Sequence, residues 1–175
     1  MASLSAIVVM GVSGCGKSSV SAAIAVRSGG RLIEGDDFHD SASIAKMSAG
    51  IALDDDDRAG WLQRLGREMQ AAVEAGERPI LACSALKRRY RDLLRDAVPS
   101  LGFVFLRLDR SQAGQRVLLR PGHFMAPSLI DSQFASLEPP LDEPNVLTLD
   151  ALQPVATLAT AVDAWLTDQV QPALP

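Results

Sequence analysis

Short, nearly unbroken apolar runs recur along this chain, separated by longer stretches in which apolar residues fall three and four positions apart. The first run, Ser5 to Met10, is partly β-branched and reads as a buried strand. Arg31 to Glu34, Arg78 to Cys83, Gly102 to Leu108 and Val146 to Leu149 read as further strands. Between them the spacing is helical. Val20 and Ile24 lie one turn apart, and Leu62, Leu65, Met69, Ala72 and Val73 mark a helix over Trp61 to Ala75, ended by Gly76. Ser43 to Met47 predicts a short helix closed by Gly50, and Ser84 is a candidate cap for a helix that begins with a basic run. Ser111 to Arg120 predicts a helix broken by Pro121 and Gly122, and Ser128 to Glu138 one stopped by Pro139 and Pro140. Val155, Leu158, Val162, Trp165 and Leu166 form the apolar stripe of a closing helix. Strands alternating with helices predict an α/β fold with a parallel sheet covered on both faces.

The turn between the first strand and the first helix carries the chemistry. Gly11-Val12-Ser13-Gly14-Cys15-Gly16-Lys17-Ser18 has the spacing G-x-x-x-x-G-K-S, a phosphate-binding loop. Its glycines permit positive φ and close approach of backbone amides to an anion. Those amides and the start of the following helix present partial positive charge to nucleotide phosphates. Lys17 is placed to reach the β- and γ-phosphates, and the Ser18 hydroxyl to ligate Mg²⁺. The expectation is a P-loop nucleoside-triphosphate-hydrolase-like domain, of a size that suits a small-metabolite kinase.

Phosphoryl transfer also needs a carboxylate for the acceptor and cations for the transferring group. Asp36 lies one residue past a glycine at the end of the second strand, where ligands sit in open α/β sheets. It reads either as the acceptor's base or as a turn residue. The third strand ends Ala82-Cys83-Ser84, without a Walker-B aspartate, so a large motor ATPase is disfavoured. A second carboxylate for the metal, acting through water, then falls to Glu34 or Asp36. Arg116 and Arg120 share a helix face and fit a flap over the phosphates; the alternative is a solvated helix surface. Lys87, Arg88, Arg89 and Arg91 oppose the dipole at their helix start, which points either to a nearby anion or to an exposed basic face. The run Asp54 to Asp57 places carboxylates ahead of the next helix, with Asp54 and Asp56 read as a solvated face.

Length and charge narrow the classes. The 175 residues suit one domain, residues 1–175, and the net charge of −4 argues against nucleic acid as the main partner. No apolar run approaches the roughly 20 residues that span a bilayer, and no basic segment precedes the first apolar run as a signal peptide would require. Cys15 and Cys83 do not make a disulfide framework, and a reducing cytoplasm is the expected setting.

Several segments together resemble the thermoresistant-type gluconokinases: the phosphate loop, Glu34-Gly-Asp-Asp-Phe-His39, Lys46-Met47, Gly50, Asp55-Asp-Asp-Arg58, Trp61-Leu62, Cys83-Ser-Ala-Leu-Lys-Arg-Arg-Tyr-Arg91, Arg120-Pro-Gly-His-Phe-Met125, Ser132-Gln-Phe134 and Leu137-Glu138. The resemblance implies a shikimate-kinase-like fold with a five-stranded parallel sheet and a lid over about 111–138. It implies transfer of the γ-phosphate of ATP, with Mg²⁺, to the 6-hydroxyl of D-gluconate, in a homodimer. Lys17, Asp36 and Arg120 would be catalytic. Asp36, His39, Lys46, Arg58, Ser84, Lys87, Arg88 and His123 would face the substrate, and Arg116 the nucleotide. Asp40, Ser43, Ala52 and Gly60 depart from the family pattern, and Asp40 adds a negative charge where an acidic sugar would dock. A kinase for shikimate or another sugar acid, and a nucleotide-binding switch without an acceptor, are the competing readings.

Overall fold

The computed structural model describes residues 3–118 and 127–170. Five strands, β1 (Ala6–Met10), β2 (Arg31–Glu34), β3 (Pro79–Ala82), β4 (Leu101–Arg107) and β5 (Val146–Asp150), form one sheet in the order β2-β3-β1-β4-β5. Every pairing is parallel, and β1 pairs with both β3 and β4 at the centre. Every residue of β1 is buried, which is why it reads as a continuous apolar run. Alternation along the strands divides the core into two. Ile7, Val9, Val104 and Leu106 face α1 (Lys17–Ser28) and α7 (Val155–Val170). Ala6, Val8, Met10, Phe103 and Phe105 face α3 (Asp55–Glu74) and α4 (Arg88–Ala97). Gly102 on β4 allows the first face to close, since a Cβ there would stand 2.7 Å from the Trp165 ring.

Three further α-helices, α2 (Ser41–Ser48), α5 (Arg110–Leu118) and α6 (Pro127–Ser136), and a 3₁₀ turn at Gly35–Phe38 complete the described chain. Among the described residues no helix is long and apolar enough to cross a membrane.

The acidic run is not a preface to α3 but its first turn. Asp54 is the N-cap, accepting from the Asp57 amide at 2.8 Å, while Asp57 accepts from the Asp54 amide at 3.0 Å. This reciprocal capping box starts the helix six residues before Trp61, and Asp54 is a cap rather than a merely solvated side chain. Asp56 is exposed, as expected. Ser84 does not cap α4: the N-cap residue is Lys87, with no side-chain bond from that residue. The capping group arrives from another element, because the Glu138 carboxylate accepts the Arg88 amide at 2.6 Å. That carboxylate also offsets the unfavourable dipole of a basic helix start.

Candidate active site

The loop between β1 and α1 has the backbone that its glycines predict. Gly11, Gly14 and Gly16 have φ of 144°, 83° and 94°. The reasons differ by position. A Cβ on Gly11 would stand 2.8 Å from both Cys15 Sγ and the Leu106 carbonyl, whereas at Gly16 the space is open and only the conformation demands glycine. Gly16 caps α1 without a side-chain bond, and the first turn of α1 holds no acidic residue. The helix start therefore keeps amides available for an anion. The Lys17 ammonium folds back over the loop, donating to the carbonyls of Gly11 at 3.1 Å and Val12 at 3.2 Å. Arg116 reaches the Gly14 carbonyl at 3.4 Å from α5. The loop is thus lined by two cations from different elements.

Ser18 Oγ donates to Glu34 Oε2 at 2.9 Å. Of the two carboxylates considered for the metal, Glu34 is the one bonded to Ser18. A hydroxyl and a carboxylate side by side are hard oxygen donors and fit Mg²⁺, which takes few protein ligands and keeps water and phosphate oxygens around it. Among the described residues there is no group of three or more His, Cys, Asp or Glu that could hold a metal unaided.

Past Glu34 the chain turns through a short 3₁₀ helix, Gly35–Phe38. Trp61 fixes this turn, its indole N–H donating to the Gly35 carbonyl at 2.7 Å inside the core. Asp36 stands on the turn with its side chain 95% exposed, free to meet a ligand. His39 is the opposite: its ring lies flat on Trp61, centroids 4.4 Å apart and 13° from parallel, with the side chain 4% exposed. Burial pushes the His39 imidazole below its ordinary value, although Asp36, 3.9 Å from Nε2, pulls the other way. The Arg58 guanidinium, in the first turn of α3, lies 5.9 Å from the ring centroids of both Trp61 and Tyr90.

The remaining predicted cations already have partners. Lys46 donates to both Asp57 oxygens at 2.7 and 2.8 Å. That bond raises Lys46 above its ordinary value and, with the Asp54 amide, holds Asp57 below its own. Lys87 donates to Asp55 at 2.9 Å, and Arg89 and the Tyr90 hydroxyl meet the same carboxylate. Arg88 faces Asp92 along its own helix at 3.8 Å, so no bond ties it to the other candidate residues. Of Lys46, Arg58, Lys87 and Arg88, Arg58 alone has no carboxylate within ion-pair distance among the described residues. Ser84 enters through its backbone, its carbonyl accepting the Gly11 amide at 3.3 Å. Arg120 and His123 lie outside the described residues.

Asp40 does not present a loose charge to this site. It is the N-cap of α2 and accepts the Ser43 amide at 2.7 Å, which leads the effects holding its carboxyl below the ordinary value. Cys83, buried at the end of β3, has its thiol pushed up to about 12 by desolvation. The charges of Lys17 and Arg58 pull it down and that of Asp36 pushes it up, each more weakly than burial.

The roles of two residues escaped the sequence reading. Arg91, wholly buried, donates to the carbonyls of Ala85 at 2.8 Å, Leu86 at 3.0 Å and Glu138 at 2.9 Å, and pairs with Glu143. Its guanidinium holds Ala85 at a φ of 44° and so shapes the turn that leads to Lys87. Gln133 on α6 reaches Ser13: its Oε1 accepts the Ser13 amide at 2.7 Å and its Nε2 donates to Ser13 Oγ at 3.1 Å.

A family model described as an AAA domain matches residues 7–140. The thermoresistant gluconokinase of Escherichia coli (strain K12) is 41% identical over 149 residues, 85% of each chain. The chain belongs to the gluconokinase family. The gluconokinase of Gluconobacter oxydans (strain 621H) is 43% identical over 141 residues, covering 81% of this chain and 79% of its own. A crystal structure of a gluconokinase from Sinorhizobium meliloti 1021 superposes with a TM-score of 0.86 at 44% identity, covering 96% of this chain and 94% of that one. Family membership agrees with the parallel sheet and the phosphate loop, and with a kinase that uses ATP.

Proposed function

We propose that this chain transfers the γ-phosphate of ATP to the 6-hydroxyl of D-gluconate, giving 6-phospho-D-gluconate. The reading rests above all on the bond between Ser18, at the end of the phosphate loop, and Glu34, where β2 turns into the segment that carries Asp36 and is held by Trp61 beside Arg58. The first side binds a phosphate donor; the second offers a base and a cation to an acidic alcohol. The relatives' names supply the particular sugar acid.

In this scheme the amides of Gly14, Gly16, Lys17 and Ser18 and the Lys17 ammonium cradle the triphosphate. Ser18 and Glu34 would hold Mg²⁺, which would supply charge neutralisation for the triphosphate. Asp36 aims the acceptor hydroxyl and takes its proton. His39, neutral and rigid on Trp61, offers a ring nitrogen to a sugar hydroxyl. Arg58 takes the carboxylate of gluconate, while Lys46 and Lys87, with Ser84 and Arg88, form the outer wall behind Asp57 and Asp55. Arg116, Arg120 and His123 belong to a lid over residues 111–138 that covers the transferring group. The whole chain, 1–175, acts as one kinase domain, as a homodimer in the cytoplasm.

Coupled ADP release measured across a panel of sugar acids tests the reading. Release that requires gluconate and fails with shikimate is expected. Release that is equal with and without any acceptor would replace the kinase with a nucleotide switch.

A further inference from the structure

Within the proposed lid, the Ser132-Gln133-Phe134 and Leu137-Glu138 segments have been given no role of their own so far. Both are at or just beyond the end of α6, and each is bonded to a different side of the cleft. Gln133 meets Ser13 of the phosphate loop through two bonds of opposite sense, 2.7 Å to the amide and 3.1 Å to the hydroxyl. Glu138 meets the start of α4 twice: its carboxylate accepts the Arg88 amide at 2.6 Å, and its own amide donates to the Leu86 carbonyl at 2.9 Å. The Glu138 carbonyl also accepts from the buried Arg91. The stretch 133–138 is therefore fixed at one end to the nucleotide loop and at the other to the helix that carries Lys87.

A glutamine suits the first of these contacts for a chemical reason. Its amide matches a backbone N–H and a hydroxyl at once, with an acceptor for one and a donor for the other. It does so without bringing charge to a loop built for a polyanion. A glutamate there would repel phosphate, and a lysine would compete with Lys17.

We propose that Gln133 is a positioning residue for phosphoryl transfer, holding Ser13 and with it the outer arm of the phosphate loop in register with the acceptor side through α6 and Glu138. This rests on the kinase reading above. Its effect falls on alignment of donor and acceptor, a quantity that costs up to about 100-fold in rate for a displacement near 1 Å. Ground-state nucleotide binding, carried by the remaining amides and Lys17, is largely spared.

The test uses the full chain and the variants Gln133→Met, Gln133→Ala, Ser13→Ala and Ser13→Ala/Gln133→Met. Methionine keeps the length of the side chain and loses both bonds, so it retains the packing if alanine fails to fold. Amide hydrogen exchange in the nucleotide-free protein reads the contact without any activity: the Ser13 amide should exchange at least about tenfold faster in Gln133→Met. Steady-state kinetics should show kcat lowered by about 10- to 100-fold, with the calorimetric Kd for ATP within about threefold of wild type. The kcat loss in Ser13→Ala/Gln133→Met should be smaller than the product of the two single losses, because both side chains act through one contact. Unchanged Ser13 exchange, unchanged kcat, a matching loss of ATP affinity, or multiplying effects in the double variant would each overturn the proposal. Wild-type turnover of gluconate is scored first, so failure of the kinase reading is seen separately from failure of the Gln133 role.

Discussion

Removing Glu143 while leaving Arg91 in place should be among the most damaging changes outside the cleft. The Arg91 guanidinium is 0% exposed and the Glu143 side chain 5% exposed. Arg91 keeps its three carbonyl partners at Ala85, Leu86 and Glu138 in Glu143→Ala, but loses the only carboxylate it is bonded to among the described residues. Breaking a buried pair from one side costs about 3–5 kcal/mol, because an uncompensated charge stays behind. Set against a total of about 5–15 kcal/mol for a domain, and at about 2–4 °C per kcal/mol for this size, the melting temperature should fall by roughly 6–20 °C. The effect has a pH signature. Burial opposes ionisation of Glu143, but the bonds from Arg91 and Arg95 outweigh it, and the carboxyl is held below its ordinary value of 4.5. A depressed carboxyl stabilises the fold fully above the unfolded value and loses that contribution as pH falls through the folded one. The gap between wild type and Glu143→Ala should thus be constant near neutrality and narrow below about 4.5. Thermal melts monitored by circular dichroism across pH 3.5 to 8 provide the measurement. A shift under about 2 °C at pH 7, or a gap that widens on acidification, would refute the assignment of Arg91 and Glu143 as a buried structural pair.

Three further outcomes follow from the site. Asp36→Asn should lower turnover by about two to four orders of magnitude with ATP affinity near normal in calorimetry; an unchanged rate removes Asp36 from the chemistry. Arg58→Met should raise the KM for gluconate on the order of 10- to 100-fold, the worth of a charge-assisted bond, and more than Lys46→Met, whose charge is already met by Asp57. Equal effects of the two would mean that Arg58 is not the main carboxylate anchor. His39 is lowered from 6.5 by burial, so the unfolded chain takes the proton first as pH falls. Wild type should therefore lose stability relative to His39→Phe between pH 7.5 and 5.5, and parallel denaturation curves would contradict a buried neutral imidazole.

The elements that the sequence displayed most clearly are those whose signal is local. The apolar run of β1, the glycines and Lys17-Ser18 after it, and the helical spacing from Leu62 to Val73 each report on neighbours a few residues away, and each appears in the fold. What was hidden depends on partners far along the chain. The cationic start of α4 pointed either to an anion nearby or to an exposed basic face; anions are there, but they are internal. Asp55 meets Lys87 and Arg89, Glu138 caps the helix, and Glu143 neutralises Arg91. No local pattern pairs residues 91 and 143. The acidic run was misread for a related reason: its capping box is local, but the low apolar content of its first turn hid where α3 begins. Gln133 carried no periodic or charge signal, and only the approach of α6 to the phosphate loop gives it a role.

The identity of the phosphorylated product bears most directly on the central claim, that a phosphate cradle and an acidic-alcohol site face each other at the edge of one sheet. Purified protein is incubated with ATP, Mg²⁺ and D-gluconate, and the product is read by phosphorus NMR and mass spectrometry. The account predicts ADP and, in equal amount, gluconate carrying one phosphate on its 6-oxygen. Nucleotide hydrolysed to ADP and inorganic phosphate, with gluconate recovered unchanged, would contradict it.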